Sequence, residues 1–204
     1  MGLSKLGENT HKSTMLLWLL PLVFVAVSVV IMAFGESGQE LLRYDRVWIG
    51  QGESWRFLTG PFAHLSWSHL ALNSAGLVLV WFLIGRNYDL VSWLLVIATI
   101  LAVMDVAFWL LSPELYWYVG MSGMLHGLLS AGIVARMPRL DAESAILLAL
   151  LVAKISWEQY SGPVPGSEIT SGGPVVVVAH LYGALGGVLG GLLARIRVRP
   201  QAAI

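Results

Sequence analysis

Six apolar stretches, separated by short polar breaks, constrain this chain more than any other feature. They fall at about 15–34, 67–85, 90–111, 118–135, 142–157 and 174–194. Charged residues make up 12% of the 204, against about 25% in a soluble domain. The mean hydropathy of +0.75 agrees with that deficit. A bilayer core needs about 20 apolar residues per helical span, with about 17 as the lower end. Lipid offers no partner to open backbone, so the spans must be helices. The alternating segments of about ten residues that mark a membrane barrel are missing. The expectation is an all-α polytopic membrane protein, a bundle of six transmembrane helices. It forms a single membrane domain over 1–204, with its core at about 15–196. The longer connection at 35–66 carries Trp48 and Trp55 and leads to Trp67, which marks it as a first loop folded at the membrane interface.

Lys5 and Lys12 precede the first stretch, but Met15 to Phe34 is longer than a signal-peptide core and no small-residue cleavage site follows. It reads as a retained span. With a cytoplasmic N-terminus, the cytoplasmic side holds Lys5, Lys12, Arg86, Arg136, Arg139, Arg195, Arg197 and Arg199. The opposite side holds Arg43, Arg46 and Arg56, as the positive-inside rule requires. Lysines plus arginines equal aspartates plus glutamates, so nothing suggests a nucleic-acid partner. The absence of cysteine excludes a thiolate nucleophile and a Cys-based metal site.

Polar residues inside spans are costly and usually functional. His69 and Asn73 share one helix face at the start of the second span. Ser122 follows Tyr116-Trp117-Tyr118 at the start of the fourth, and His180 follows Pro174 at the start of the sixth. Even-numbered spans all begin at the same surface. At 1.5 Å per residue these side chains lie about 6–9 Å below it. A serine hydroxyl attacks well only when a base takes its proton, and His180 is the candidate base. The first-turn amides at Ser122 and Gly123, with His69 and Asn73, can hold an oxyanion. Gly183, Gly187 and Gly191 on the sixth span, and Gly123, Gly127 and Ala131 on the fourth, form small-residue stripes that let helices touch. Facing stripes would bring His180 to Ser122.

Other classes stay in view. Asp105, in the middle of the third span, has no evident partner. Lys154 and Glu158 are spaced to pair within the fifth. Such charges also occur along ion paths, although the inverted repeats of transporters are not visible. No H-E-x-x-H occurs, and His64 and His69 are five apart, so no metal site is expected. Gly120-Met121-Ser122-Gly123 is followed by Met124, which departs from the soluble G-x-S-x-G elbow.

His64-(x4)-His69-(x3)-Asn73, Trp55-Arg56 ahead of it, Gly120-Met121-Ser122-Gly123, and Ala179-His180 before a glycine-rich helix together resemble rhomboid proteases. The resemblance spans about 45–195. The string from Gly120 to Gly127, Lys154-x-x-Trp157-Glu158-Gln159 and His180-Leu-Tyr-Gly resemble the bacterial rhombosortases among them. The resemblance implies a rhomboid-like bundle, an intramembrane serine peptidase with a Ser122–His180 dyad, no acidic third member and no cofactor. For rhombosortases it also implies an inner-membrane location with both termini cytoplasmic and a site open to the periplasm. The substrates would be exported, membrane-anchored proteins with a C-terminal tail: a Gly-Gly-type motif, a span, then basic residues. A generic rhomboid acting on other single-span proteins, and a non-catalytic rhomboid that only binds membrane helices, are the alternatives. Hydrolysis and transfer to a lipid amine stay open, as does oligomeric state. His126, one turn beyond Ser122, departs from the general pattern and is a possible accessory residue, as are His64, Trp55, Arg56, Lys154 and Glu158.

Overall fold

The computed structural model describes residues 2–137 and 139–198, with the side chains of 2–15 and 198 left aside. Arg199 and the side chains of Lys5 and Lys12, all expected on the cytoplasmic side, lie outside what the structure describes. The protein is mostly helical: α1 (Gly2–Ala33), α2 (Gly35–Leu42), α3 (Arg46–Gly50), α4 (Arg56–Thr59), α5 (Trp67–Ile84), α6 (Leu90–Leu111), α7 (Ser122–Ala135), α8 (Ala142–Ser161), α9 (Ser167–Ser171) and α10 (Val177–Val198). Two short strands, β1 (Tyr44–Asp45) and β2 (Trp117–Tyr118), pair antiparallel.

A helix occurs at each of the six expected apolar stretches. Four of them, α1, α5, α6 and α10, are both long and apolar enough to cross a membrane. The other two differ for identifiable reasons. α7 starts at Ser122 rather than near 118, because Trp117 and Tyr118 pair with β1 and Gly120 takes φ +101°. Its 14 residues extend about 21 Å at 1.5 Å each, short of the ~30 Å hydrocarbon layer. α8 is long enough, but Lys154, Glu158 and Gln159 make its last turns polar.

Side-chain caps start three of the long helices. Ser66 accepts the His69 amide, Asp89 the Ser92 amide and Asp141 the Ser144 amide, each satisfying a donor that a helix start leaves open. α7 has no such cap.

The core centres on α7, which packs between α10, α5 and α6. The glycine stripes face each other as expected. A methyl group added at Gly183 would strike the Gly123 carbonyl, and one at Gly187 the Gly127 carbonyl. Gly191 meets Ala131 at 3.1 Å in the same sense. A second stripe on α10, Gly186 and Gly190, lies against Ile100 and Val96 of α6. Bare backbone on two sides lets α10 press against both neighbours. Ser130 adds a buried hydrogen bond to Ala184 O at 2.7 Å. The first loop is folded rather than open: Arg56 is buried and donates to Glu53, to Glu40 O and to Arg43 O.

Candidate active site

α5, α7 and α10 start at one end of the bundle, and α8 finishes there. That arrangement brings Ser122 and His180 together across 58 residues of sequence. Ser122 Oγ lies 3.0 Å from His180 Nε2. Ser122 is the first residue of α7, partly open to the outside, while His180 is 4% exposed.

The other nitrogen of His180 is equally defined. Its Nδ1 lies 2.6 Å from Glu158 Oε2, and the second carboxylate oxygen of Glu158 accepts from Lys154 Nζ at 2.7 Å. A carboxylate on Nδ1 fixes that nitrogen as the N–H donor and leaves the Nε2 lone pair facing the serine. The Lys154–Glu158 pair expected at i,i+4 is therefore present. It also reaches His180, whereas the family resemblance implies a dyad without an acidic partner. The signal was available in the sequence: an odd-numbered span ends where the even-numbered ones start, so Glu158, late in α8, arrives at the depth of the serine.

His126 lies on the same cluster. Its Nδ1–H donates to Ser122 O at 2.7 Å, and its ring stacks on His180 with centroids 4.3 Å apart and planes 18° from parallel. Donor atoms of His126, Glu158 and His180 lie within 4.8 Å of one another, close enough to share a metal ion. Each already has a protein partner: Ser122 O, Lys154 and Ser122 Oγ respectively.

On the other side of the serine, Gly120 makes the turn into α7. A methyl group there would sit 2.7 Å from His69 Cε1, 2.8 Å from His69 Nε2 and 3.4 Å from Asn73 Nδ2. A positive φ and this crowding together require glycine. The Leu65 amide donates to His69 Nδ1 at 3.4 Å, which leaves Nε2 as the N–H. Asn73 is buried, and its Nδ2 makes no hydrogen bond among the described residues. Two donors thus converge beside the uncapped start of α7, one of them without a partner. Tyr118, missed in the sequence reading, closes the floor by donating to Gly120 O at 2.5 Å.

The remaining candidates are placed as follows. Gly123 packs its Cα face against Met104 and the Ala179 carbonyl. His64 precedes α5 in a loop, so it contacts His69 edge-on at 5.0 Å despite a five-residue spacing that would separate them on a helix. Burial, with His69 beside it, lowers the His64 imidazole to a pKa of about 4. Trp55 and Arg56 are not brought to the serine. Trp55 donates to Leu41 O, and Arg56 bonds within the first loop. Asp105 has no hydrogen bond or ion pair among the described residues and lines an apolar groove of about 610 Å³ with Phe57, Leu101 and Trp109.

No curated protein matches the chain. The family model of the rhomboid domain matches residues 51–197, most of the chain and every residue of the cluster described above. The chain belongs to the rhomboid family, whose members are generally intramembrane serine proteases.

Proposed function

We propose that this protein is an intramembrane serine endopeptidase in which Ser122 is the nucleophile and His180 its base. The observation that carries the reading is the 3.0 Å contact from Ser122 Oγ to His180 Nε2, beside a helix start that lacks a cap. Ser122 Oγ attacks the scissile carbonyl carbon while its proton passes to His180 Nε2. The carbonyl oxygen becomes an oxyanion, held by the first-turn amides at Ser122 and Gly123 together with His69 Nε2–H and Asn73 Nδ2–H. His180 then returns the proton to the leaving amine. Water, activated by the same imidazole, releases the acyl-enzyme and restores the serine. No cofactor takes part in this scheme.

The substrate class we propose is narrower than the family. The motif strings around Ser122, Lys154 and His180 support a rhombosortase-like enzyme that removes a C-terminal Gly-Gly-type sorting tail from exported, membrane-anchored proteins. Its place is then the inner membrane of a bacterium, with both termini cytoplasmic and the site reached from the periplasm. The excess of arginine and lysine at the predicted cytoplasmic ends supports that orientation. Co-reconstitution with two reporters tests the proposal. One carries a Gly-Gly motif, a span and a basic tail, and the other a span without the motif. Wild type should cleave the first well above the second, and Ser122→Ala neither. Equal cleavage of both would leave a generic rhomboid protease, and cleavage of neither would favour a helix-binding rhomboid without catalysis.

A further inference from the structure

We infer that Glu158 is the positioning residue of His180, so that the site works as a Ser122–His180–Glu158 triad with Lys154 as its built-in counterion. The inference rests on the serine-peptidase reading above and adds to it a third member and a source of charge balance. Three contacts fix the imidazole. Glu158 Oε2 holds Nδ1 at 2.6 Å, Ser122 Oγ faces Nε2 at 3.0 Å, and the His126 ring covers one face at 4.3 Å. His126 is itself tied to α7 through Ser122 O. The ring can neither flip nor change tautomer without breaking a hydrogen bond.

The geometry also argues against a simple helix-surface ion pair. The Glu158 side chain is 2% exposed and that of Lys154 39%. A pair formed only to neutralise two charges on a helix would leave the carboxylate outside with the ammonium. Here the carboxylate turns inward, and the ammonium stays at the rim. A buried carboxylate persists as an ion only where it is paired and hydrogen-bonded. Lys154 supplies the charge and the Nδ1–H of His180 the second bond. When the proton of Ser122 moves to Nε2, the imidazolium forms beside an anion already in place. The Nδ1 proton stays on the histidine throughout.

The charged and titratable groups facing His180 are Glu158 and Lys154 from α8 and His126 from α7. The two charges act on the imidazolium with opposite sign. The carboxylate favours it and the ammonium, 3.4 Å from Nδ1, opposes it. Removing each must therefore displace the acid limb of serine reactivity in opposite directions.

The test is the pH dependence of the rate at which a fluorophosphonate labels Ser122 in wild type, Glu158→Gln and Lys154→Gln, with folding followed by helical circular dichroism. Glu158→Gln should slow labelling by on the order of 10²–10⁴-fold, since an amide admits the wrong tautomer. It should also move the acid limb about 1–3 units to lower pH. Lys154→Gln should move the limb to higher pH. Folded Glu158→Gln protein labelling within about threefold of wild type with an unmoved limb would overturn the inference while leaving the serine reading intact. Should Glu158→Gln not fold, Glu158→Asp, which keeps the charge but draws the carboxylate back from Nδ1, decides: labelling slowed by about tenfold or more, on the order expected of a displaced third member, supports the triad, and labelling at the wild-type rate overturns it. Wild type that does not label at all removes the serine reading and this inference with it.

Discussion

The two ends of the bundle use polar groups in opposite ways. At the end where α5 finishes and α6 starts, the long polar side chains are matched. The Tyr88 hydroxyl shares its one proton between Ala131 O and Gly191 O, and Asn87 donates to Gly132 O at 2.9 Å. Trp93 donates to Gly85 O, and Arg197 meets both Asp89 and Ser92. These bonds fasten α5, α6, α7 and α10 together. At the other end, among the described residues, the Asn73 Nδ2 donor and the His64 Nε2 acceptor are buried without a partner, and the serine helix starts without a side-chain cap. An unmade buried hydrogen bond costs about 1–3 kcal/mol. A chain that matches its polar groups at one end and leaves the Asn73 donor open at the other carries that cost beside the proposed nucleophile, where the proposed reaction would supply an oxygen.

That contrast separates rate from stability, and substitutions at each end should move one without the other. The largest effect belongs to Asn73→Ala. It should cut the turnover of a cleavable reporter by about 10²–10³-fold. Its thermal midpoint should stay level or rise, because the Asn73 side chain makes no hydrogen bond among the described residues. A marked fall in midpoint would make Asn73 a structural residue instead. Next comes His64. Its folded pKa of about 4 lies below the unfolded value of about 6.5. The folded state therefore binds fewer protons between those values, and stability should decline as pH falls from about 6.5 to about 4. The His64 share of that loss should approach ~3 kcal/mol at most, and His64→Asn should remove that share from a pH series of denaturation midpoints.

At the opposite end, Tyr88→Phe should lower stability by about 1–3 kcal/mol, since it strips two buried carbonyls of a donor. The rate per folded molecule should not change. The smallest effect is expected for Asp89→Ala. Loss of the α6 cap costs about 1 kcal/mol, and the exposed Asp89–Arg197 pair adds little. A Tyr88→Phe or Asp89→Ala protein with slowed turnover at full folding would show that the two ends are coupled.

Much of the site was legible because membrane helices reduce geometry to depth and direction. Ser122, His180, His69 and Asn73 could be placed at one surface from span parity alone, and the Gly183–Gly187 stripe named the helix pair that closes on them. The length of α7 was not legible in the same way. Apolar composition continues back to Tyr118, and pairing of Trp117 and Tyr118 with the first loop, a long-range contact, together with the positive φ of Gly120, delays the helix to Ser122. The contact of Glu158 with His180 escaped for a different reason. Its i,i+4 partner Lys154 offered a sufficient local explanation, and that hid the direction in which the carboxylate points. His64 shows the converse error, since spacing rules for a helix do not govern a residue in the loop before it.

The central claim is that Ser122 is activated by His180 at the open end. Mass-spectrometric mapping of the folded wild-type protein after fluorophosphonate treatment tests it most directly. The account predicts one phosphonylated serine, Ser122, with no adduct in a His180→Ala protein treated in parallel. Folded wild-type protein that carries no adduct on Ser122, or an equal adduct in His180→Ala, would contradict it.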